Sequence, residues 1–333
     1  MVAIGCAACH RGGAAEPANV RDGDPEVVFR GACDASGAVP LSERYFIVAD
    51  DEDNVLRVYD ADAGGAPVAA TDMSAALGLP LEGKKRPRAA ELDLEAATRL
   101  GDRAYWITSH GRKKSGEQAP TRLRVFATSL PDAQTGRVQL VGRPYDRLVG
   151  DLVDARVLAP FEPAEAASLA PNAAGGLNIE GLTAAPDGAV WLGFRSPVPG
   201  GRALLVPLRN LPALVDGAGG GPARFGTPAL LELGDGRGVR ELSWWHGRYL
   251  LIGGAPANGS GSKLYTWDGP GADAEIANVD LADYNPEAIF TPEQRDSVLV
   301  LSDDGERIVD GKRCKKLDDP DRKHFRGVWV TVP

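Results

Sequence analysis

The sequence lacks the segments that would direct a chain into or across a membrane. It has no run of about 18 apolar residues, the length that a transmembrane helix needs. Its N-terminus has neither a basic start nor the apolar stretch of roughly 7 to 15 residues typical of secretion signals. We therefore predict no membrane partner and favour the cytoplasm. A periplasmic or secreted location is the alternative if the natural start lies upstream.

Basic residues are also scarce. The chain carries 37 Lys and Arg against 46 Asp and Glu, a formal net charge of -9. Nucleic acids and anionic membranes attract proteins with an excess of Lys and Arg, so neither is an expected partner. An acidic protein is compatible with cation binding.

Several catalytic and cofactor motifs are missing. The chain has no G-x-S-x-G nucleophile motif and no glycine-rich nucleotide-binding loop after a strand. Cys6–His10 matches the C-x-x-C-H pattern of haem attachment, but haem is not expected, because that chemistry needs export and a distal ligand, and the chain has only 2 Met. Residues 1–25 are predicted to form a flexible tail with two thiols.

One pattern recurs along the rest of the chain. In residues 176–195, a short strand places Glu180 beside Gly181, and a Pro-Asp-Gly turn leads to an apolar, aromatic strand. Copies of this order span Asp34–Ala49, Asp93–Thr108, Val239–Ile252 and Asn285–Leu301. Four of the five copies continue into a third strand, at Val55–Tyr59, Arg122–Phe126, Ala203–Pro207 and Lys263–Trp267.

Antiparallel units repeated in this way predict an all-β protein with a single β-propeller. Five blades are favoured and six are the alternative. The propeller is predicted to span residues 26–333, with an insertion at about 143–176 that contains a short amphipathic helix. Glu26–Gly31 and Phe325–Val332 read as strands that complete the last blade and close the ring from both termini.

The repeat predicts a cation site on the propeller axis. One inner-strand position of each blade should face that axis, occupied by Ser36, Glu95, Glu180, Glu241 and Glu287, with Ser243 as the alternative to Glu241. Converging carboxylates repel one another, so a cation, or raised pKa values in a water-filled channel, must relieve the charge. An all-oxygen set suits calcium better than zinc, and we expect calcium here.

The same topology predicts a polar cleft above the axis. The loops after the second strands should meet the starts of the inner strands on one face, and they carry His110, Arg112 and Arg195. We expect these three residues to bind a small anionic molecule beside the cation. Because covalent and nucleotide-cofactor chemistry lack their motifs, metal-assisted hydrolysis is the reaction class that remains.

The chain also predicts one disulfide candidate. Ring closure from both termini should bring Cys33 near Cys314, at the junction of the first and last blades. A bond between them would tie the ring shut, whereas a reducing cytosol would keep both as thiols.

Several strings together resemble a known family. Gly31–Ser36, Asp50–Tyr59, Trp106–Arg112, Asn178–Leu182 and Gly193–Pro197 are similar to the bacterial family catalogued as domain of unknown function 3616. This resemblance implies a propeller and supplies no activity.

Two more distant likenesses suggest chemistry. The Glu180-Gly181-Leu182 string is similar to one in esterase-like phytase propellers, and one oxygen ligand per blade looks like calcium-activated nucleotidases, in which a central calcium organises phosphate hydrolysis. The leading hypothesis is metal-dependent hydrolysis of a phosphate ester or similar anion. The alternative is a non-catalytic binding module with a structural axial metal.

Overall fold

The computed structural model describes residues 26–83, 87–185, 187–188, 190–216, 221–257, 261–277 and 279–332. The predictions for Cys6, Cys9, His10 and the tail of residues 1–25 concern residues outside this part of the chain. No helix in the described ranges is both long and apolar enough to span a membrane.

The described chain forms five four-stranded antiparallel sheets. Strand β1 (Glu26–Arg30) comes first. Blade 1 contains β2 (Ser36–Pro40), β3 (Tyr45–Ala49), β4 (Val55–Asp60) and β5 (Ala69–Asp72). The hairpin of β6 (Leu81–Glu82) and β7 (Arg88–Ala89) precedes blade 2, which contains β8 (Leu94–Leu100), β9 (Arg103–Thr108), β10 (Val125–Ser129) and β11 (Leu140–Tyr145).

Blade 3 contains β12 (Asn178–Ala184), β13 (Val190–Ser196), β14 (Ala203–Leu208) and β15 (Ala229–Leu231). Blade 4 contains β16 (Gly238–Trp245), β17 (Arg248–Gly254), β18 (Lys263–Trp267) and β19 (Ala274–Ile276). Blade 5 uses β20 (Pro286–Phe290), β21 (Ser297–Ser302) and β24 (His324–Thr331), after the intervening hairpin of β22 (Ile308–Val309) and β23 (Lys312–Arg313).

Strand β1 completes blade 5 by pairing with β24 along its whole length, from Glu26 opposite Val328 to Arg30 opposite His324. The order of this sheet is β1-β24-β21-β20, so both ends of the described chain contribute to one blade. The predictions of a five-bladed propeller and of closure from both termini are confirmed.

Helices are short and few among the described residues. Three α-helices are α1 (Leu148–Asp154), α2 (Pro163–Ser168) and α3 (Leu211–Val215). Short 3-10 helices occupy Pro120–Arg122, Arg156–Phe161, Pro199–Gly201, Cys314–Lys316 and Pro320–Arg322. Helix α1 confirms the helix predicted between blades 2 and 3, and it buries Leu148 and Leu152. The third strand of blade 2 begins at Val125 rather than Arg122, because Arg122 lies in a 3-10 turn.

The hydrophobic core is divided among the interfaces between neighbouring blades. The middle strands are buried on both faces, as the fully buried strand β14 shows, because each blade packs between two others. The core between blades 5 and 1 contains five buried aromatic rings, those of Phe29, Phe46, Tyr59, Phe290 and Phe325. Beside this core, Cys33 and Cys314 form a disulfide with their Cα atoms 5.7 Å apart, as the closure of the ring predicts.

Candidate functional site

Each innermost strand departs from regular pairing at one residue near its start. The pairing with the second strand skips these five residues: Gly37, Glu95, Glu180, Arg240 and Glu287. A residue left out of the ladder in this way has its side chain re-aimed relative to its neighbours. The five inner strands contact one another in sequence around the ring, so the skipped residues form one set of equivalent positions near the axis.

This register corrects the predicted equivalence of the axial residues in two blades. Ser36 lies one position before the skipped residue of blade 1, and its Oγ donates to Asp34 Oδ2 at 2.6 Å. Glu241 lies one position after the skipped residue of blade 4, is fully buried and accepts from Ser243 Oγ at 2.7 Å. Alignment of the repeats on their acidic residues predicts Glu241 at the axial position of blade 4. The irregular pairing instead places its neighbour Arg240 at that position.

Arg240 and Arg195 place positive charge among the predicted axial acids. Arg240 Nε lies 3.6 Å from Glu180 Oε2, its Nη2 contacts Glu287 Oε1, and its Nη1 donates to Asn285 Oδ1 at 2.8 Å. Arg195 Nη1 donates to Glu180 Oε1 at 2.7 Å. The protein itself therefore neutralises much of the charge of Glu180 and Glu287.

Glu95 lies beside this network in a negative environment. Burial raises the pKa of its carboxyl well above its usual range, and the charges of Glu180 and Asp93 raise it further. Arg195 opposes this shift only in part. The ionised form of Glu95 is therefore unfavourable, and a cation in the cleft would stabilise it.

A larger group of acids lies between blades 1 and 5. Asp34 precedes β2, Asp50 and Asp51 follow β3, and Asp303 follows β21. Carboxylate oxygens of Asp34, Asp50 and Asp51 lie within 4.8 Å of one another, as do those of Asp34, Glu287 and Asp303. We call these five residues the blade 1–5 cluster.

A cleft of about 320 Å³ opens above the axis. Its walls carry Asp51, Glu52, Glu91, Asp93, Glu95, Lys113, Lys114, Arg122, Pro171, Asn172, Asn178, Glu180, Arg195, Pro256 and Ala257. Arg122 bonds to both Glu91 and Asp93, yet burial and the Asp93 charge raise the pKa of Glu91 to about 7. The cleft therefore combines excess carboxylates with two lysines and a carboxyl that titrates near neutral pH.

The three residues predicted to bind an anion do not gather in this cleft. Only Arg195 lines it, and its Nε and Nη2 also donate to the carbonyls of Ala255 and Ala257. Arg112 instead holds its own loop against the insertion, donating to the carbonyls of Ala167 at 2.9 Å and Gly116 at 3.1 Å.

His110 is buried rather than exposed to the cleft. Its Nδ1 lies 2.7 Å from the carbonyl oxygen of Thr108, which assigns the proton to Nδ1, and its Nε2 has no hydrogen-bond partner among the described residues. Burial lowers the pKa of His110 to about 4, so the imidazole is neutral at neutral pH. This position gives no support to binding an anion through a positive charge.

From sequence, the acidic Asp50–Asn54 loop reads as a solvated turn or as a second acidic wall of the cleft, and Asp34, Asp303, Arg240 and Glu91 are not among the predicted site residues. The available signal was that Asp34, Asp50 and Asp303 all stand at strand ends on one face of a propeller.

No protein-family model and no curated protein matches the chain. The resemblance to domain of unknown function 3616 therefore stays a prediction. Among solved structures, a GH43 β-1,3-galactosidase is similar at 10% identity and a TM-score of 0.48, covering 90% of this chain and 91% of the other.

The glutaminyl cyclase of Myxococcus xanthus is similar at 11% identity and a TM-score of 0.46, with 93% and 96% covered. A PQQ-bound aldose sugar dehydrogenase from Streptomyces coelicolor is similar at 12% identity and a TM-score of 0.45, with 95% and 100% covered. Similarities this low carry no argument about chemistry.

Proposed function

We propose that the protein is a calcium-dependent hydrolase of a small phosphate ester or a similar anion, acting in the cleft above the propeller axis. The observation that carries the proposal is the excess of buried carboxylates over cations. Arg195 and Arg240 are both engaged by Glu180, and Glu287 also contacts Arg240. Asp51 and Glu95 lie beyond these ion pairs, and burial together with neighbouring carboxylates raises the pKa of each.

A calcium ion suits this donor set because every available ligand is oxygen. When bound, such a cation neutralises the carboxylates and polarises a phosphoryl oxygen. Lys113 and Lys114 lie on the cleft wall and supply positive charge for an anionic substrate. These lysines replace His110 and Arg112 in the role that the sequence suggested.

Glu91 is the proposed general base. Its carboxyl lines the cleft and has a pKa of about 7, so near neutral pH it is deprotonated in a large fraction of molecules and still basic enough to accept a proton from an attacking water. Arg122 fixes the position of this carboxyl by bonding to Glu91 and Asp93 together.

The second candidate is a non-catalytic module that binds an anion. The hydrogen bonds of the arginines near the cleft favour it. Arg112, Arg122 and Arg195 all donate to groups of the chain itself. On this view Lys113 and Lys114 would hold a ligand, and the cation would only stabilise the ring.

A phosphoester panel with and without calcium separates the two functions. We expect turnover by the full chain that depends on calcium and disappears on chelation. Glu91→Gln should lower kcat by about 10²–10⁴-fold, the usual contribution of a general base. Glu117→Gln, at an exposed position outside the cleft, is the matched control. Absence of turnover above the chelated sample would refute the hydrolase and leave the binding module.

A further inference from the structure

One buried oxygen atom in the blade 1–5 cluster is unsatisfied. The side chain of Asp34 belongs to a residue only 1% exposed, and its Oδ2 accepts from Ser36 Oγ at 2.6 Å. Its Oδ1 has no hydrogen-bond partner in the part of the chain that the structure describes. A buried carboxylate oxygen without a partner costs free energy, so something absent from the chain itself is expected to satisfy it.

The neighbours of Asp34 make that cost larger. Asp34 belongs to both groups of carboxylates in the cluster, one with Asp50 and Asp51 and the other with Glu287 and Asp303. Burial raises the pKa of Asp34 well above its usual range, and the charges of Asp303 and Asp50 add to the shift.

The nearby cations are committed elsewhere. Arg57 pairs with Asp53 at 2.6 Å, and Lys315 pairs with Glu52 at 3.0 Å and Glu306 at 2.8 Å. Arg240 contacts Glu287 but extends from there toward Glu180 and Asn285. None of these ion pairs involves Asp34.

We propose that the blade 1–5 cluster is a calcium-binding site, with Asp34 as the central ligand, Asp50 and Asp51 from the loop after β3, and Glu287 and Asp303 from blade 5. This assignment differs from the axial ring predicted from the repeat, which shares only Glu287 with it. It rests on the proposed function and specifies which residues bind its cation, although cation binding here does not require that the protein be an enzyme. Asp51 also lines the cleft, so the site opens toward the proposed reaction centre.

The dimensions of the cluster fit calcium. Its donors are carboxylate oxygens, which calcium accepts in sets of 6 to 8 at about 2.3 to 2.6 Å. Two ligands on opposite sides of an ion at about 2.4 Å are about 4.8 Å apart. In each of the two groups the three carboxylate oxygens lie within 4.8 Å of one another, so the three oxygens of either group can share one ion, and Asp34 belongs to both groups. Zinc is disfavoured because the cluster contains no His or Cys ligand.

The disulfide connects the segment that carries Asp34 to the long loop after β21, which begins at Asp303. Cys33 directly precedes Asp34, and its backbone N–H donates to Asp50 Oδ2 at 3.4 Å, while its carbonyl accepts from Asp304 N at 2.9 Å. On the other side, Cys314 precedes Lys315, whose N–H donates to the carbonyl of Gly305. Gly305 N in turn donates to Asp303 Oδ1 at 2.7 Å. Opening the disulfide should therefore loosen both halves of the site and weaken calcium binding.

Calorimetric titration of the full chain with calcium chloride tests the site, with melting temperature as a second readout. We expect saturable binding by the wild type and a loss of affinity of at least about 10-fold in Asp34→Asn, because a charged central ligand is removed. Asp102→Asn, at an exposed position in the β8–β9 turn, should bind as the wild type does. Cys33→Ser should bind more weakly than the wild type.

The melting temperature separates loss of a ligand from misfolding. With chelator, Asp34→Asn should melt at or above the wild-type temperature, since it removes a buried repelling carboxylate, yet its melting temperature should rise only at calcium concentrations at least about 10-fold higher than the wild type needs. Calcium affinity equal to that of the wild type in Asp34→Asn, or no binding by the wild type at millimolar calcium, would overturn the site. Neither the calcium affinity nor the melting temperature depends on turnover. The hydrolase proposal can therefore fail in the phosphoester assay while the calcium site is still confirmed.

Discussion

A single aromatic side chain of β1 packs across the seam where the ring closes. Phe29 is 0% exposed, and its ring centroid lies 5.0 Å from that of Phe325, 5.4 Å from Phe46 and 5.2 Å from Tyr59. Its ring contacts aromatic rings of both blade 5 and blade 1. Its truncation should therefore leave a cavity at the seam between the chain ends.

Phe29→Ala is expected to lower the free energy of unfolding by about 3 to 5 kcal/mol, the usual cost of removing a buried phenylalanine ring. Val28→Ala, on the same strand but 37% exposed, should change it by less than about 0.5 kcal/mol. Urea titrations followed by tryptophan fluorescence compare the two variants with the wild type. An equal decrease in the free energy of unfolding in both variants would contradict the claim that the buried Phe29 ring stabilises the seam.

Two further variants test the inner strands. Burial raises the pKa of Glu241 well above 4.5, so the folded state holds its proton more tightly than the unfolded state, and stability falls as pH rises above about 4.5. Glu241→Gln should therefore unfold at higher urea than the wild type at pH 7.5 but at the same urea near pH 4; parallel shifts at both pH values would contradict this reasoning. At Gly37, where φ is +65°, a Cβ would lie 2.6 Å from backbone atoms of Ala96, so Gly37→Ala should cost about 3 kcal/mol or more in urea unfolding. Gly101→Ala, with φ at +62° and open space around it, should cost only about 1 kcal/mol, and equal losses at the two glycines would rule out the steric argument.

The fold could be predicted from the sequence because the local signals agree in every blade. Each repeat joins a short inner strand to an apolar second strand through a tight turn, and Gly101 and Gly247 adopt positive φ in two of these turns. Closure also followed from the sequence, because the last repeat was short of strands and Glu26–Arg30 had no other partner. The position of Cys33 beside Cys314 was a consequence of that closure.

The site could be predicted only in part, because one skipped residue per inner strand decides which side chain faces the axis. In blades 2, 3 and 5 that residue is the glutamate of the repeat, so Glu95, Glu180 and Glu287 were placed at equivalent positions. In blade 4 an arginine and a glutamate are adjacent, and choosing the acid gave Glu241 instead of Arg240. Nothing in the sequence distinguishes the two, since the irregularity is a property of the pairing and not of either residue.

The blade 1–5 cluster departs from the rule that buried charges are paired. Other carboxylates of the cleft have counter-charges within the chain, as Arg122 between Glu91 and Asp93 shows. At the seam the chain gathers acids around Asp34, and a disulfide joins the segment of Asp34 to the loop that begins at Asp303. Without a cation this arrangement opposes the closure that β1 and the disulfide favour, because the repelling loops belong to the first and last blades. A bound cation reverses the sign of that contribution, so the seam is the place where calcium binding and ring closure are expected to be coupled.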